Sequence, residues 1–136
     1  MTYDSRYDTI EHIAAVRDNI HDVEVQLHRR GVKHDMSKLE SPEKEVFDRI
    51  TPKLKSVEYA SDEYRRVIRE ELSVGIKHHY ENNDHHPEHY KAGIHGMSFL
   101  ALIEMLCDWK AACDRVGGDF EASLRINKDR FNISDD

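Results

Sequence analysis

Phe99-Leu100-Ala101-Leu102-Ile103-Glu104-Met105-Leu106-Cys107-Asp108-Trp109 is apolar on nearly every side of a helical projection. Such a segment reads as a buried helix, and a chain built around one reads as a helical domain. Ser98 stands where an N-cap belongs and Gly117-Gly118 where a stop belongs, so the helix is predicted from Phe99 to about Val116. The polar exceptions, Glu104 and Asp108, lie four apart and therefore on one face, with Ala101, Ala111 and Ala112 beside them. A buried carboxylate costs several kcal/mol unless it is paired or binds a metal. The choice at Glu104 and Asp108 lies between an ordinary ion pair, with Arg65, Arg66 or Lys110, and a metal site.

Working outward, the same helical period recurs. Ile10, Ile13, Val16, Ile20, Val23 and Leu27 step by three and four, which predicts a helix from about Asp8 to Arg30 with Gly31 as its stop. Ser41-Pro42-Glu43 reads as a capping serine, a proline at the first helical position and an acid in the first turn. That short helix passes Val46, Phe47 and Ile50 and is expected to end at Thr51-Pro52. Ser61-Asp62-Glu63 opens the next, through Tyr64, Val67, Ile68, Leu72, Ile76 and His79, and a last amphipathic piece runs from Phe120 to about Arg130. No stretch alternates as a strand does. The expectation is an all-α chain, one compact domain of about five helices over residues 1–136, ordered from about 6 to 131, with a frayed acidic end at Ser134-Asp135-Asp136.

The 136 residues suit one domain and carry 20 Lys and Arg against 27 Asp and Glu, a net charge of −7. That balance argues against long nucleic acids as partners and leaves room for a local basic pocket. No apolar run is long enough for a membrane span, and Met1-Thr2-Tyr3-Asp4-Ser5-Arg6 has no basic-then-apolar leader, so a cytoplasmic location is expected. Cys107 and Cys113 share one apolar stretch without CxxC spacing; they read as reduced core residues and not as ligands of a structural zinc. The 3-4 spacing of the first helix is also that of a coiled-coil seam, so a homo-oligomer is an open reading.

Histidine is the unusual residue. Five of the ten fall between His78 and His89, in His78-His79-Tyr80-Glu81-Asn82-Asn83-Asp84-His85-His86-Pro87-Glu88-His89. About 0.9 would be expected by chance in such a window. The plain alternative is a polar surface loop. Against it, His78 and His79 flank the centre line of the face that carries Tyr64, Val67, Ile68, Leu72 and Ile76, so both point toward the core. Neutral imidazole is the commonest metal ligand, and two adjacent core-facing histidines favour metal or phosphate binding. His34-Asp35-Met36-Ser37-Lys38 adds a histidine beside a carboxylate, which can hold one ion from both residues or bridge two. Lys38 stands where a point charge would meet a phosphate oxygen.

The order His12, His34-Asp35, His78-His79, Asp108 resembles that of the HD-domain superfamily of metal-dependent phosphohydrolases, which are all-helical. More closely, the run from about Glu11 to Phe131 resembles a family found in phage and bacterial genomes that brings no assigned substrate. Its marks are HD-x-SK, PE, HHY-x-x-N-x-HHPEH and EM-x-x-DW-x-A. The superfamily resemblance implies metal-ligand roles for His34, Asp35 and Asp108, with His79 or His78 joining when two ions bind. It makes His12 the first histidine of the pattern; on a straight helix His12 lies about 24 Å along the axis from His28, the alternative nearer His34.

The function so implied is hydrolysis of a nucleotide or other small phosphorylated metabolite, in the cytoplasm of a bacterium or phage-infected host, by water that a metal activates. Asp35 and Lys38 belong to the catalytic group, with Lys38, His85, His86 and His89 on the substrate's phosphate. His86 is the candidate to protonate the leaving oxygen, and Glu104 orients a ligand from behind. The mixed nitrogen and oxygen donors suit one or two ions of Mn, Fe, Co, Ni or Zn better than Mg alone, with Mg kept as an alternative. The alternative is a phage-type accessory protein that binds metal without turnover and engages a partner or a nucleotide.

Overall fold

The structure of the chain, a computed structural model, describes residues 3–57 and 61–134, and for Glu71 the backbone alone. Every regular element among them is helical: α1 Arg6–Lys33, α2 Glu43–Ser56, α3 Asp62–Glu71, α4 Ser73–Asn82, α5 Phe99–Arg115 and α6 Phe120–Phe131. Short 3-10 turns occupy Met36–Leu39, Pro87–His89 and Gly93–Gly96. Over the described residues the chain is all-α, with six α-helices where about five were expected. No helix among the described residues is long and apolar enough to cross a membrane. Of the acidic end expected to fray, Asp135 and Asp136 lie outside the described residues.

By its contacts the chain divides into two compact units, Met1–Lys33 and His34–Asp136. The first is essentially α1, 28 residues with none buried. The helix runs through Gly31, the expected stop, because glycine permits a left-handed turn without imposing one. The residue that takes the left-handed conformation is Asp35, at φ 58°. Aspartate tolerates that region better than most side chains do.

In the second unit α2, α3 and α4 pack around Ile50, Val67 and Leu72, with Val46, Phe47, Leu54, Ile68 and Ile76 against them. Thr51-Pro52 does not end α2; Pro52 sits inside it, and the helix continues to Ser56. Proline costs that turn a hydrogen bond, which the packing of Leu54 two residues on offsets. Ser41 does not cap α2, whose N-cap is Pro42. Ser61 does cap α3, accepting from the Tyr64 N–H at 3.1 Å. The single helix expected from there through His79 is broken at Leu72, which is 2% exposed. The break lets α4 come down on α2 so closely that a Cβ on Gly75 would stand 2.9 Å from Val46 Cγ1. That approach brings the His78-His79 end of α4 to Glu43, the first residue of α2.

Ser98 caps α5 as expected, accepting from the Ala101 N–H at 3.2 Å, and Gly117 turns the chain at φ 66°. Trp109 stacks on Phe131 of α6 with ring centroids 5.8 Å apart. The helix buries Ala101, Met105 and Cys113. It is not buried on every side: Phe99, Leu106 and Cys107 are exposed, so Cys107 is not a core residue. α6 covers only one flank, and the surplus of apolar side chains lines an open groove that includes Ile103, Leu106 and Phe120.

Candidate metal centre

Five segments of the second unit converge on one point. They are the turn carrying His34 and Asp35, the start of α2 with Glu43, the end of α4 with His79, the loop with His85 and His86, and α5 with Glu104 and Asp108. Asp35, His79, His85 and His86 offer donor atoms that all lie within 4.8 Å of one another, and so do His34, His85 and Asp108. Both groups could hold a metal ion. Asp35 Oδ1 is 3.3 Å from His79 Nε2 and 3.5 Å from His85 Nε2, while its other oxygen is 3.5 Å from His34 Nε2. His79 Nε2 and His86 Nε2 face each other at 2.9 Å.

Two atoms test whether these residues fit an ion. Among the described residues, Asp35 Oδ1 and His85 Nε2 are buried side-chain atoms without a hydrogen-bond partner. An unpartnered buried polar atom costs about 1–3 kcal/mol. Here two of them face the same space, and each has a lone pair to give. A cation between them would satisfy both, so the donor set fits a metal.

The far sides of the imidazoles are tied back to carboxylates. His79 Nδ1 donates to Glu43 Oε2 at 2.8 Å and His78 Nδ1 to Glu43 Oε1 at 2.7 Å. His34 Nδ1 donates to Glu104 Oε1 at 2.8 Å, and His85 Nδ1 lies 3.2 Å from the same oxygen. A carboxylate behind Nδ1 fixes the proton there and leaves the Nε2 lone pair facing inward, as metal-bound histidines require. Glu43 is wholly buried and is held in turn by Ser37 Oγ at 3.0 Å. Asn83 links the same group, donating to Ser37 Oγ at 2.7 Å and to the His79 carbonyl at 2.8 Å.

The charges agree with this geometry. Burial would raise the Asp35 carboxyl, but the adjacent His79 imidazole, the hydrogen bond from Lys38 and the charges of Lys38 and His34 hold it well below the usual range. Burial likewise opposes ionisation of Asp108 and of Glu43; His34 overcomes it at Asp108, and His78, His79 and Ser37 at Glu43. His34 is raised to about 9, chiefly by its hydrogen bond with Asp108, against burial. A proton on His34 thus stands where a cation would otherwise balance the carboxylates. Burial and the His34 charge push His85 down; burial and the neighbouring His85 and His79 push His86 down to about 3. Both shifts favour the neutral imidazole, the form that ligates metal.

Of the residues singled out in the sequence, His34, Asp35, His79 and Asp108 are brought together. His85 and His86, expected on the substrate's phosphate, stand among the metal donors. His78 is one layer back, on Glu43, and in neither donor group. His89 is exposed, with Nδ1 donating to the Tyr80 carbonyl at 2.7 Å. Lys38 Nζ donates to Asp35 Oδ2 at 2.5 Å and lies 5.2 Å above the centre of the Phe47 ring. His12 and His28 lie on α1, in the other unit, and in neither group. Arg65, Arg66 and Lys110, the candidate ion-pair partners of Glu104 and Asp108, pair with Asp62, Glu63 and Asp114.

Glu43, Ser37 and Asn83 were missed as site residues. The signal for Glu43 was indirect: two adjacent core-facing histidines need a buried acceptor, and an acid in a first helical turn conceals that role behind helix capping.

No curated protein and no solved structure matches the chain. A family model does match it, over residues 1–136, and on that match the chain belongs to a family of unknown function (DUF5662).

Proposed function

We propose that this centre holds one or two divalent transition-metal ions and hydrolyses a phosphate ester or anhydride of a nucleotide or other small phosphorylated metabolite. The observation that carries the reading is the pair of buried, unpartnered donors, Asp35 Oδ1 and His85 Nε2, inside a ring of imidazoles backed by carboxylates. Three or more nitrogen donors beside carboxylate oxygen favour Mn, Fe, Co, Ni or Zn over Mg. A bound ion supplies an acidified water near neutral pH and positive charge for a phosphoryl oxygen.

The side chains around the centre differ in access. His79 and His85 are 3% and 2% exposed, whereas the side chains of His34, Asp108 and Lys38 are 26%, 30% and 35% exposed. A small anion therefore approaches from the His34, Asp108 and Lys38 side. Lys38 is the phosphate contact in this reading: with Asp35 engaged by an ion, its ammonium would be free to donate to a phosphoryl oxygen. His86, neutral and facing His79, serves as a ligand in this reading and not as the acid. Glu43 and Glu104 hold the imidazoles in register.

The test reloads metal-free protein with Mn, Ni or Zn and measures phosphate release from nucleotides and simple phosphate esters. The expected result is metal-dependent release that falls at least about a hundredfold in Asp108→Asn, the scale of removing a group that stabilises transition-state charge. A second reading has its own observation: Asp35, His79, His85 and His86 make a nearly closed set of four protein donors, as structural metal sites do. Stoichiometric metal without phosphate release from any substrate would favour that non-catalytic module. Protein that takes up no ion would remove both readings.

A further inference from the structure

The α1 helix carries a stripe that the metal centre does not use. Ile13, Val16, Ile20, Val23 and Leu27 are spaced three and four apart, the spacing of alternating seam positions in a coiled coil. Ile13, Val16, Ile20 and Val23 are 60%, 41%, 56% and 40% exposed. From Ile13 to Leu27 the stripe covers about 21 Å of helix axis. Isolated helices are marginal in water and owe most of their stability to packing of an apolar face.

We propose that α1 pairs with α1 of a second copy of this chain as a short antiparallel coiled coil. The flanking residues choose the partner and the direction. With the seam so placed, Arg17 and Glu24 flank it on one side, and Asn19 and Gln26 on the other. In a parallel pair Asn19 would meet the second copy's Glu24 and His12 its Arg17, with no opposite charges joined. In an antiparallel pair like flanks face each other. Layering Ile20 on the second copy's Val23, and Val16 on its Leu27, sets Arg17 against its Glu24 and Asn19 against its Gln26. The two-fold axis repeats each contact, so the interface is self-complementary and closes at a dimer.

Within one copy Arg17 lies 3.6 Å from Asp18 and Glu24 lies 3.6 Å from His21, both pairs largely exposed. Such pairs are weak and re-form elsewhere at little cost. The seam is short, so the dimer is a reversible one. Neither the metal nor the hydrolysis reading enters this inference.

Sedimentation of the full-length protein over a wide concentration range, at low salt, is the test. The wild type is expected to pass from monomer to dimer. Arg17→Glu sets two like-charged contacts in place of two attractive ones and should weaken the dimer roughly tenfold. Arg17→Glu/Glu24→Arg restores both contacts and should return the association to near wild type. Circular dichroism of each variant confirms that α1 remains helical. A wild type that stays monomeric throughout overturns the proposal. So does a dimer indifferent to Arg17→Glu, which would be held by another surface, or one that the double exchange fails to restore.

Discussion

Glu43 has no exposed surface and accepts hydrogen bonds from Ser37, His78 and His79. Glu43→Gln puts an NH2 group where a carboxylate oxygen faces an Nδ1–H, so one imidazole must turn or lose its bond. Metal affinity should then fall by about 10–100-fold, as when carboxylates behind ligating histidines are removed. The apo protein should lose about 1–3 kcal/mol, the cost of a buried donor left unsatisfied. Competition with a chelator measures the first and urea unfolding the second; unchanged affinity would reduce Glu43 to a packing residue. A paired substitution resolves the open question of His12. His85→Ala removes a donor common to both groups and should abolish stoichiometric metal, whereas His12→Ala should leave the metal content of purified, untagged protein intact. His12→Ala protein emptied of its ion would instead restore His12 as a ligand. Part of this site was legible before any fold was known: His79 and Asp108 stand out by position on a helix face, and His34 and Asp35 as an adjacent pair of ligand types to which the family resemblance gives a role. Glu43 was not, because its burial depends on how closely α4 approaches α2, a long-range fact that no local pattern encodes.

Gly75 is where that approach is decided at the scale of the element. A Cβ there would stand 2.9 Å from Val46 Cγ1 and 3.0 Å from Val46 Cβ. The latter atom belongs to a stiff, branched side chain and yields little. Gly75→Ala should therefore destabilise the protein although alanine is the better helix former. Overpacking costs typically about 1–3 kcal/mol, against about 1 kcal/mol gained in helix propensity. It should also weaken metal binding, since pushing α4 off α2 parts His78 and His79 from Glu43. Gly75→Ala/Val46→Ala removes the obstruction and should recover metal affinity, read by the same chelator competition, even where stability is not fully regained. A Gly75→Ala protein as tight and as stable as wild type would mean that the helices slide apart freely. Helix existence and the caps at Ser61 and Ser98 were readable because capping chemistry is local. The breaks were not. The apolar face from Tyr64 to Ile76 runs through Leu72 in one period, and burying Leu72 against α2 is a tertiary demand that bends the axis without changing the pattern. Pro52 misled for the same reason: it allows a helix to end, and the packing of Leu54 beyond it favours going on, whereas Gly31 permits a stop that nothing imposes.

For the whole molecule the question is what holds the second unit together. Its buried hydrophobic residues among those described are Ile50, Val67, Leu72, Ala101, Met105 and Cys113, a small core for a chain of 136 residues. The donors come from segments as far apart in sequence as Asp35 and Asp108, so an ion joining them closes long loops that the unfolded chain would otherwise leave open. It also neutralises carboxylates that a chain of net charge −7 has few cations to balance. Metal binding and folding are therefore expected to be strongly linked. At a free-ion concentration a hundred times the dissociation constant, linkage supplies about 2.7 kcal/mol. In a domain of this size that raises Tm by about ten degrees. Weak binding of ions by the ten histidines in the unfolded chain lowers the figure without changing its sign. Differential scanning calorimetry of untagged protein, stripped with a chelator and then titrated with Mn, Ni or Zn, should follow this rise and reverse it when the chelator returns. Asp35→Asn serves as the control: it loses the carboxylate of the four-residue group, whose other oxygen lies 3.5 Å from His34 of the second, and its Tm should respond far less to metal. Equal responses in the two proteins would place the bound ion on surface histidines and not at this centre.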